Sequence, residues 1–425
     1  MTVRPRRARP ALRLSARGAG VGLVGAALAA YGFVAALTPL LVLGLLLCVP
    51  VAVTAALLLP PLGARFTVSR TLRPLPAHVG DLVTVTTVVA PRRLTPWTAD
   101  ALHGLRLAEA VPVELHDDGP LHGHVEARYG DVRLEHVLRP AARGRWHLGP
   151  LEATRVGPLG LCRATSALGD AVPVAIRPRL LPMTASTALA RAGISPVCAG
   201  ADEPSDEDSS LRRYVPGDDL RRVHWKSVAR HRELHVRVDE GASLTPATVV
   251  VDLPPARRAP HDPVLERVVA VGATLASHLL GTGHAVRLVA AGAAGPGGVH
   301  PRVEPTDGDA RARVLDPTID LAPVPAGPAR TAARSTLLAE VVAGRRGAER
   351  LVVVLAAGRD ADADELAAYG AAAPGSTSRT AVVVPTRPDA GRATVRALRA
   401  HGWRAVVLDD DDLDGAWQRL TEGRA

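Results

Sequence analysis

The sequence predicts a multidomain protein with an N-terminal transmembrane helical hairpin, an all-β sandwich, and a doubly wound α/β domain. Three observations predict it. Residues 19–59 carry no charged side chain, and residues 64–182 hold short β-branched runs at intervals of about ten residues. From residue 246 onward, continuous apolar runs alternate with helical stretches. A chain of 425 residues exceeds what one core ordinarily holds, so several domains are expected.

The hairpin comes first. Ala19–Leu37 and Leu40–Leu59 are apolar runs separated by Thr38-Pro39, and each spans about 30 Å at helical rise, the thickness of a bilayer's hydrocarbon core. Pro39 removes a backbone donor and disfavours helix at Thr38, which sets the break. Arg4, Arg6, Arg7, Arg9, Arg13 and Arg17 precede the first run, Arg65, Arg70 and Arg73 follow the second, and the connection has no cation. The positive-inside rule then puts residues 1–18 (a basic tail) and the soluble domains in the cytoplasm, anchored at the cell (plasma) membrane. A second apolar run directly behind the first argues against a cleaved signal peptide.

Charge narrows the partners. The net charge is +9 and the pI about 10.5, yet six of the nine excess charges sit in the first 18 residues. The rest is near neutral, so no specific nucleic-acid partner is expected. Hydrophobic residues make up 47% and aromatics only 3%, which excludes a wholly disordered chain and points to a core of Ala, Val and Leu. Cys48, Cys162 and Cys198 lie far apart, giving neither a disulfide framework nor a zinc site.

In the sandwich, Arg65–Thr71, Leu82–Ala90, Asp131–Arg139 and Ala171–Ile176 read as strands, with turn signals at residues 116–120 and 142–144. Residues 183–210 form an acidic linker or flexible loop, because the run at 202–208 is acidic and free of apolar side chains. In the α/β domain, residues 246–425, strands are expected at Thr248–Leu253, Ala285–Ala290, Leu351–Ala356, Ala381–Pro385 and Arg404–Leu408. Helices are expected at Val264–Leu280, Thr336–Ala343, Asp364–Tyr369, Ala393–His401 and Leu413–Leu420. Continuous apolar strands between helices indicate a mostly parallel sheet covered on both faces.

Residues 211–245 carry the densest pattern. Val215-Pro216-Gly217-Asp218 is a turn signal, and Asp218 or Asp219 is placed to cap a short helix running to about Arg230. Glu233–Glu240 then alternates as a strand does. Lys226, the one lysine in the chain, stands in the middle. Arg221, Arg222, Lys226 and Arg230 are either a basic patch for a partner or an internal ion-pair network with Asp218, Asp219 and Glu240.

This stretch resembles the signature of the domain-of-unknown-function 58 family, on Arg213 (or Arg212), Tyr214, Pro216, Gly217, Asp218, Arg221, His224, Trp225, Lys226, Ala229, Arg230, Leu234, Arg237 and Glu240. Arg143-Gly-Arg-Trp-His-Leu-Gly-Pro150 is similar to a second family element. Val156-Gly-Pro-Leu-Gly-Leu161 is similar to a third, with Gly157 where an Asp is usual. The resemblance implies a C-terminal domain similar to von Willebrand factor type A domains. It also implies a place beside MoxR-type AAA+ ATPases and transglutaminase-like membrane proteins, hence a membrane-anchored, non-enzymatic adaptor or scaffold in protein remodelling or cell-envelope assembly.

Type A domains often hold Mg²⁺ through an Asp and two hydroxyls after the first strand. Here Asp252 remains while Pro254 and Ala256 replace the hydroxyls, so a degenerate site with no metal is expected, and Asp252 reads as a solvated strand-end carboxylate. No phosphate-cradling glycine motif is present, so no cofactor is expected. His224, His231 and His235 straddle the presumed helix–strand join, a poor arrangement for a metal. Two alternatives stand behind the adaptor: a hydrolase using Asp218 with His224, and a binder of nucleic acid or lipid headgroups using the 212–237 arginines.

Overall fold

A computed structural model describes residues 11–59, 65–95, 98, 101–102, 104–116, 123–127, 130–184, 210–213, 235–238, 244–255, 262–290, 300–323, 325–343, 349–357, 378–387 and 390–421. The chain divides into two units, Met1–Arg177 and Pro178–Ala425.

The first unit holds β1 (Ala11–Leu14), α1 (Ala16–Val34), α2 (Thr38–Leu58), β2 (Phe66–Arg73), β3 (Ala77–His78), β4 (Val83–Pro91) and β5 (Leu105–Glu109). It continues with β6 (Gly123–Ala127), β7 (Val132–Leu138), β8 (Gly144–Leu148), β9 (Leu151–Val156), β10 (Cys162–Leu168) and β11 (Val172–Arg177). Ser15 caps α1 by accepting from the Gly18 amide at 3.0 Å, and Pro39 starts α2, where its missing N–H costs nothing. Both helices are long and apolar enough to cross a membrane. They pack antiparallel through small residues. A methyl group at Gly25 would lie 3.0 Å from the Gly44 carbonyl oxygen, so only glycine lets the two backbones approach this closely.

The basic tail expected over residues 1–18 contains structure. β1 pairs antiparallel with β10, from Ala11↔Thr165 to Leu14↔Cys162, and α1 begins at Ala16. The edge of β10 offers unpaired backbone groups directly beside the start of α1, and the four residues of β1 satisfy them. So short a strand shows no alternation in sequence.

Three sheets follow, ordered β2-β4-β7-β6, β1-β10-β9-β5 and β3-β11-β8. Their apolar faces meet in two clusters. One gathers Val83, Val85, Leu138, Trp146, Leu148 and Ile176, and the other Phe66, Val89, Val132, Leu151, Ala153 and Leu168. A polar layer separates them. Along the β2–β4 register, Leu72↔Val85 serves the first cluster and Val68↔Val89 the second, while Arg70↔Thr87 lies between. The Arg70 Nε donates to Glu109 Oε1 at 2.9 Å, the Thr87 hydroxyl donates to Glu109 Oε2 at 3.1 Å, and Arg70 Nη1 donates to the Asp170 carbonyl at 2.8 Å.

The hairpin is built into this unit. Leu58 packs with Leu161, Cys162 and Ala164 of the β10 region, and Val21, Val51 and Ala55 join them. The Ser15 amide donates to the Leu161 carbonyl at 2.9 Å, and Arg155 Nη2 donates to the Leu58 carbonyl at 2.8 Å. Gly157 has no room for a side chain. A Cβ there would meet Thr54 Cγ2 and lie 3.3 Å from Leu58 Cδ1.

The second unit contains β12 (Ser210–Arg213), β13 (His235–Val238), β14 (Leu244–Asp252), α3 (Pro263–Gly281), β15 (His284–Ala290), α4 (Ala310–Leu315) and α5 (Pro328–Ala343). β16 (Arg350–Ala357), β17 (Ser378–Pro385), α6 (Arg392–Ala400), β18 (Arg404–Val407) and α7 (Leu413–Thr421) complete it. The parallel sheet runs β15-β14-β16-β17-β18, and Val303 adds an antiparallel bridge to Val286 at the β15 edge. Helices cover both faces: Val249, Val251, Val352 and Val382 pack with α3 and α7, whereas Val353, Leu355 and Val383 pack with α5 and α6. Successive strand residues serve opposite faces, so a strand buried on both sides must be apolar throughout. α3 is as long and apolar as a membrane span, but two-thirds of it is buried in this core. The helix expected at Asp364–Tyr369 and the acidic run at 202–208 lie outside the described residues.

Candidate functional site

The 211–240 segment is framed by two paired strands. β12 runs antiparallel to β13 with Ser210↔Val238, Leu211↔Arg237, Arg212↔Val236 and Arg213↔His235. The pairing places Arg213 and Arg237, at the two ends of the signature, in one two-stranded ladder. Tyr214, Pro216, Gly217, Asp218, Arg221, His224, Trp225, Lys226, Arg230 and Glu240 lie outside the described residues, as does the helix expected from Asp218 to Arg230.

The sheet supplies a second place. With β14 first in sequence and β15 and β16 on either side of it, the connections leave in opposite directions between β14 and β16, the switch point at which open α/β sheets bind ligands beyond their carboxyl ends. Asp252 closes β14 there. It is not solvated, in contrast to the expectation from sequence: its exposure is 2%, and Arg334 of α5 donates to its Oδ2 at 2.5 Å. A buried carboxylate needs a cation, and the helix packed beside the strand delivers a guanidinium to it. Pro254 beside it offers no hydroxyl. Among the described residues no group of three His, Cys, Asp or Glu side chains is arranged to hold a metal ion.

Sequence reading missed Arg334 because the expected helix began at Thr336, whereas α5 begins at Pro328. The signal was present, since proline favours the first position of a helix. It also missed a buried cluster at the opposite strand ends. Glu349, 1% exposed, accepts from Arg302 at 3.0 Å and from the Thr248 hydroxyl at 3.2 Å, with Arg287 at 4.0 Å. Arg287 also donates to the Glu340 and Val341 carbonyls near the end of α5, at 3.3 and 3.2 Å. Burial lowers the Arg287 pKa, and Glu349 opposes that shift. This cluster ties α5 to the sheet and so helps hold Arg334 over Asp252.

The chain thus combines a membrane-length helical hairpin embedded in a β unit with a parallel α/β unit whose switch point carries an ion pair. Residues 210–372 match a protein family described as a protein of unknown function, DUF58. The match starts at β12 and takes in every signature residue from Arg213 to Glu240, together with Asp252 and Arg334. The elements at residues 143–150 and 156–161 lie outside it. No curated protein matches the chain.

Proposed function

We propose that the protein is a membrane-anchored, non-enzymatic adaptor or scaffold whose 211–240 segment contacts a MoxR-type AAA+ ATPase. The observation that carries the anchoring is the packing of the hairpin into the β unit: Leu58, Leu161, Cys162 and Ala164 share one apolar cluster. Two sheets packed on Leu151, Val89 and Phe66 support the sandwich reading. The antiparallel Val286–Val303 edge beside a parallel sheet supports the type A reading. Arg334 at Asp252 supports a binding module over a metal-dependent one. The arginines flanking the hairpin support a cytoplasmic location. The ATPase, and a transglutaminase-like membrane protein beside it, rest on the family resemblance of the signature.

The test is affinity purification of the whole chain in mild detergent with ATP, comparing wild type with a Lys226→Ala, Asp218→Ala double variant of equal protease resistance. An AAA+ ATPase enriched with wild type and lost from the variant is the expected result. Recovery of no ATPase with either protein defeats the adaptor reading, and a hydrolase screen follows.

A further inference from the structure

We infer that the turn at residues 158–160 and strand β1 form a lipid-facing seat, with Leu159, Leu14 and Leu12 entering the boundary between headgroups and acyl chains of the bilayer that the hairpin crosses. The inference rests on the membrane-spanning reading of α1 and α2 and adds a second, peripheral contact made by the β unit.

The depth follows from helix geometry. The 21 residues of α2 rise about 31 Å, close to the ~30 Å of a hydrocarbon core, so Leu58 marks the near boundary. The 157–161 turn meets the hairpin one turn of helix inside that boundary. Gly157 abuts Thr54, and the Leu161 carbonyl oxygen abuts Gly18. That is a depth of about 5 Å, the level at which interfacial apolar side chains sit.

What the turn presents at that level is apolar and exposed. Leu159 is 77% exposed and is held at φ 58°, a conformation that bulky residues rarely adopt. Its neighbour Leu161 is buried against Leu58, and the Gly157 amide is bonded to the Cys162 carbonyl at 2.9 Å, so the turn is fixed rather than free to fold Leu159 inward. β1 adds to the same surface. Leu14 and Leu12 pair with Cys162 and Ala164, which lie against the hairpin, and directly opposed strand residues share a face. Yet Leu14 is 57% and Leu12 43% exposed, so both flank the hairpin where lipid would lie. On the other face of this strand pair Arg13 and Arg163 stand opposite each other, two cations at the level of headgroup phosphates.

The experiment uses the full chain with Cys48, Cys162 and Cys198 replaced by alanine and one cysteine introduced at Leu159, Leu14, Val24 or Leu82. Each variant is labelled with an environment-sensitive fluorophore and reconstituted in phosphatidylcholine–phosphatidylglycerol vesicles. Quenching is read with nitroxide lipids labelled near the headgroup or near the chain end. Val24, exposed on α1, reports on spanning. Leu82 precedes β4 at the end away from Phe66↔Pro91, where the chain arrives from the hairpin, and is the control. Shallow quenching at Leu159 and Leu14, deep quenching at Val24 and none at Leu82 is expected. If Leu159 and Leu14 behave like Leu82 while Val24 is quenched, the seat is refuted and the spanning hairpin stands. If Val24 is unquenched as well, both fail. Leu12→Cys replaces Leu14→Cys should the latter lose protease resistance.

Discussion

Arg70 on β2 and Glu109 on β5 form a buried ion pair between two sheets, at 2.9 Å and with side-chain exposures of 1% and 7%. Apolar clusters lie on both sides of it, so neither charge has ready access to water. Thr87 holds the second carboxylate oxygen and the Asp170 carbonyl a further guanidinium proton. Such a layer adds little net stability over an apolar one, but breaking it from one side strands a charge.

Glu109→Gln should therefore cost about 3–5 kcal/mol in urea unfolding of the detergent-solubilised chain, because Arg70 stays buried without a counter-charge. The double variant Arg70→Leu, Glu109→Leu should cost clearly less than the sum of its single changes. Additive effects would show that the two side chains do not act as a pair.

Arg334→Met should destabilise the second unit by a comparable amount, about 3 kcal/mol, by leaving the Asp252 carboxylate buried and unneutralised. Millimolar Mg²⁺ should leave the wild-type Tm unchanged, since the guanidinium already occupies the carboxylate. A Tm that rises with Mg²⁺ would contradict this assignment.

Histidines make the second unit sensitive to acid. Burial lowers the pKa of His278, His284 and His300, partly opposed at His284 by its bond to the Thr245 carbonyl and at His278 by Asp414. With folded values below the ordinary 6.5, the unfolded chain binds more protons over the interval between them, so stability falls as pH drops through that interval. Thermal midpoints should decline from pH 7.5 to pH 5.5, and His284→Asn should flatten the decline. Equal midpoints across this range would count against it.

Glycines in the hairpin divide by contact. Gly44→Leu should separate the helices and lower the Tm in detergent, because a Cβ there meets Ala29 and the Gly25 carbonyl oxygen. Gly22→Ala, with nothing nearby, should be neutral or slightly stabilising through helix propensity. Gly157→Asp should be destabilising because Thr54 and Leu58 fill that space. Equal effects at Gly44 and Gly22 would show that the hairpin does not pack as described.

Much of the architecture was legible because it is written in local patterns. Val249–Val251 and Val352–Val354 are unbroken apolar runs, and β14 and β16 form there with both faces buried. The charge-free stretch between Arg17 and Arg65 marks α1 and α2, although the break falls at residues 35–37 and Thr38-Pro39 opens α2 rather than interrupting it. Pattern failed where the partner is distant. β1 exists because β10, far along the chain, has an edge to fill. Asp252 read as solvated because the strand-end pattern does not show which cation reaches it; its guanidinium arrives from α5, 82 residues on. The signature gave the family match over residues 210–372, while its interior from Tyr214 to Leu234 lies outside the described residues.

Composition and periodicity by themselves determined that this chain has membrane-length helices, a strand-rich middle and an alternating α/β end, because burial on one face, both faces or all round imposes a repeat that can be read in order. Tertiary structure alone decided which charges neutralise one another and which glycines must be glycine. Arg70 with Glu109, Arg334 with Asp252 and Gly157 beneath Thr54 depend on distances across the fold, and a linear pattern holds no record of those.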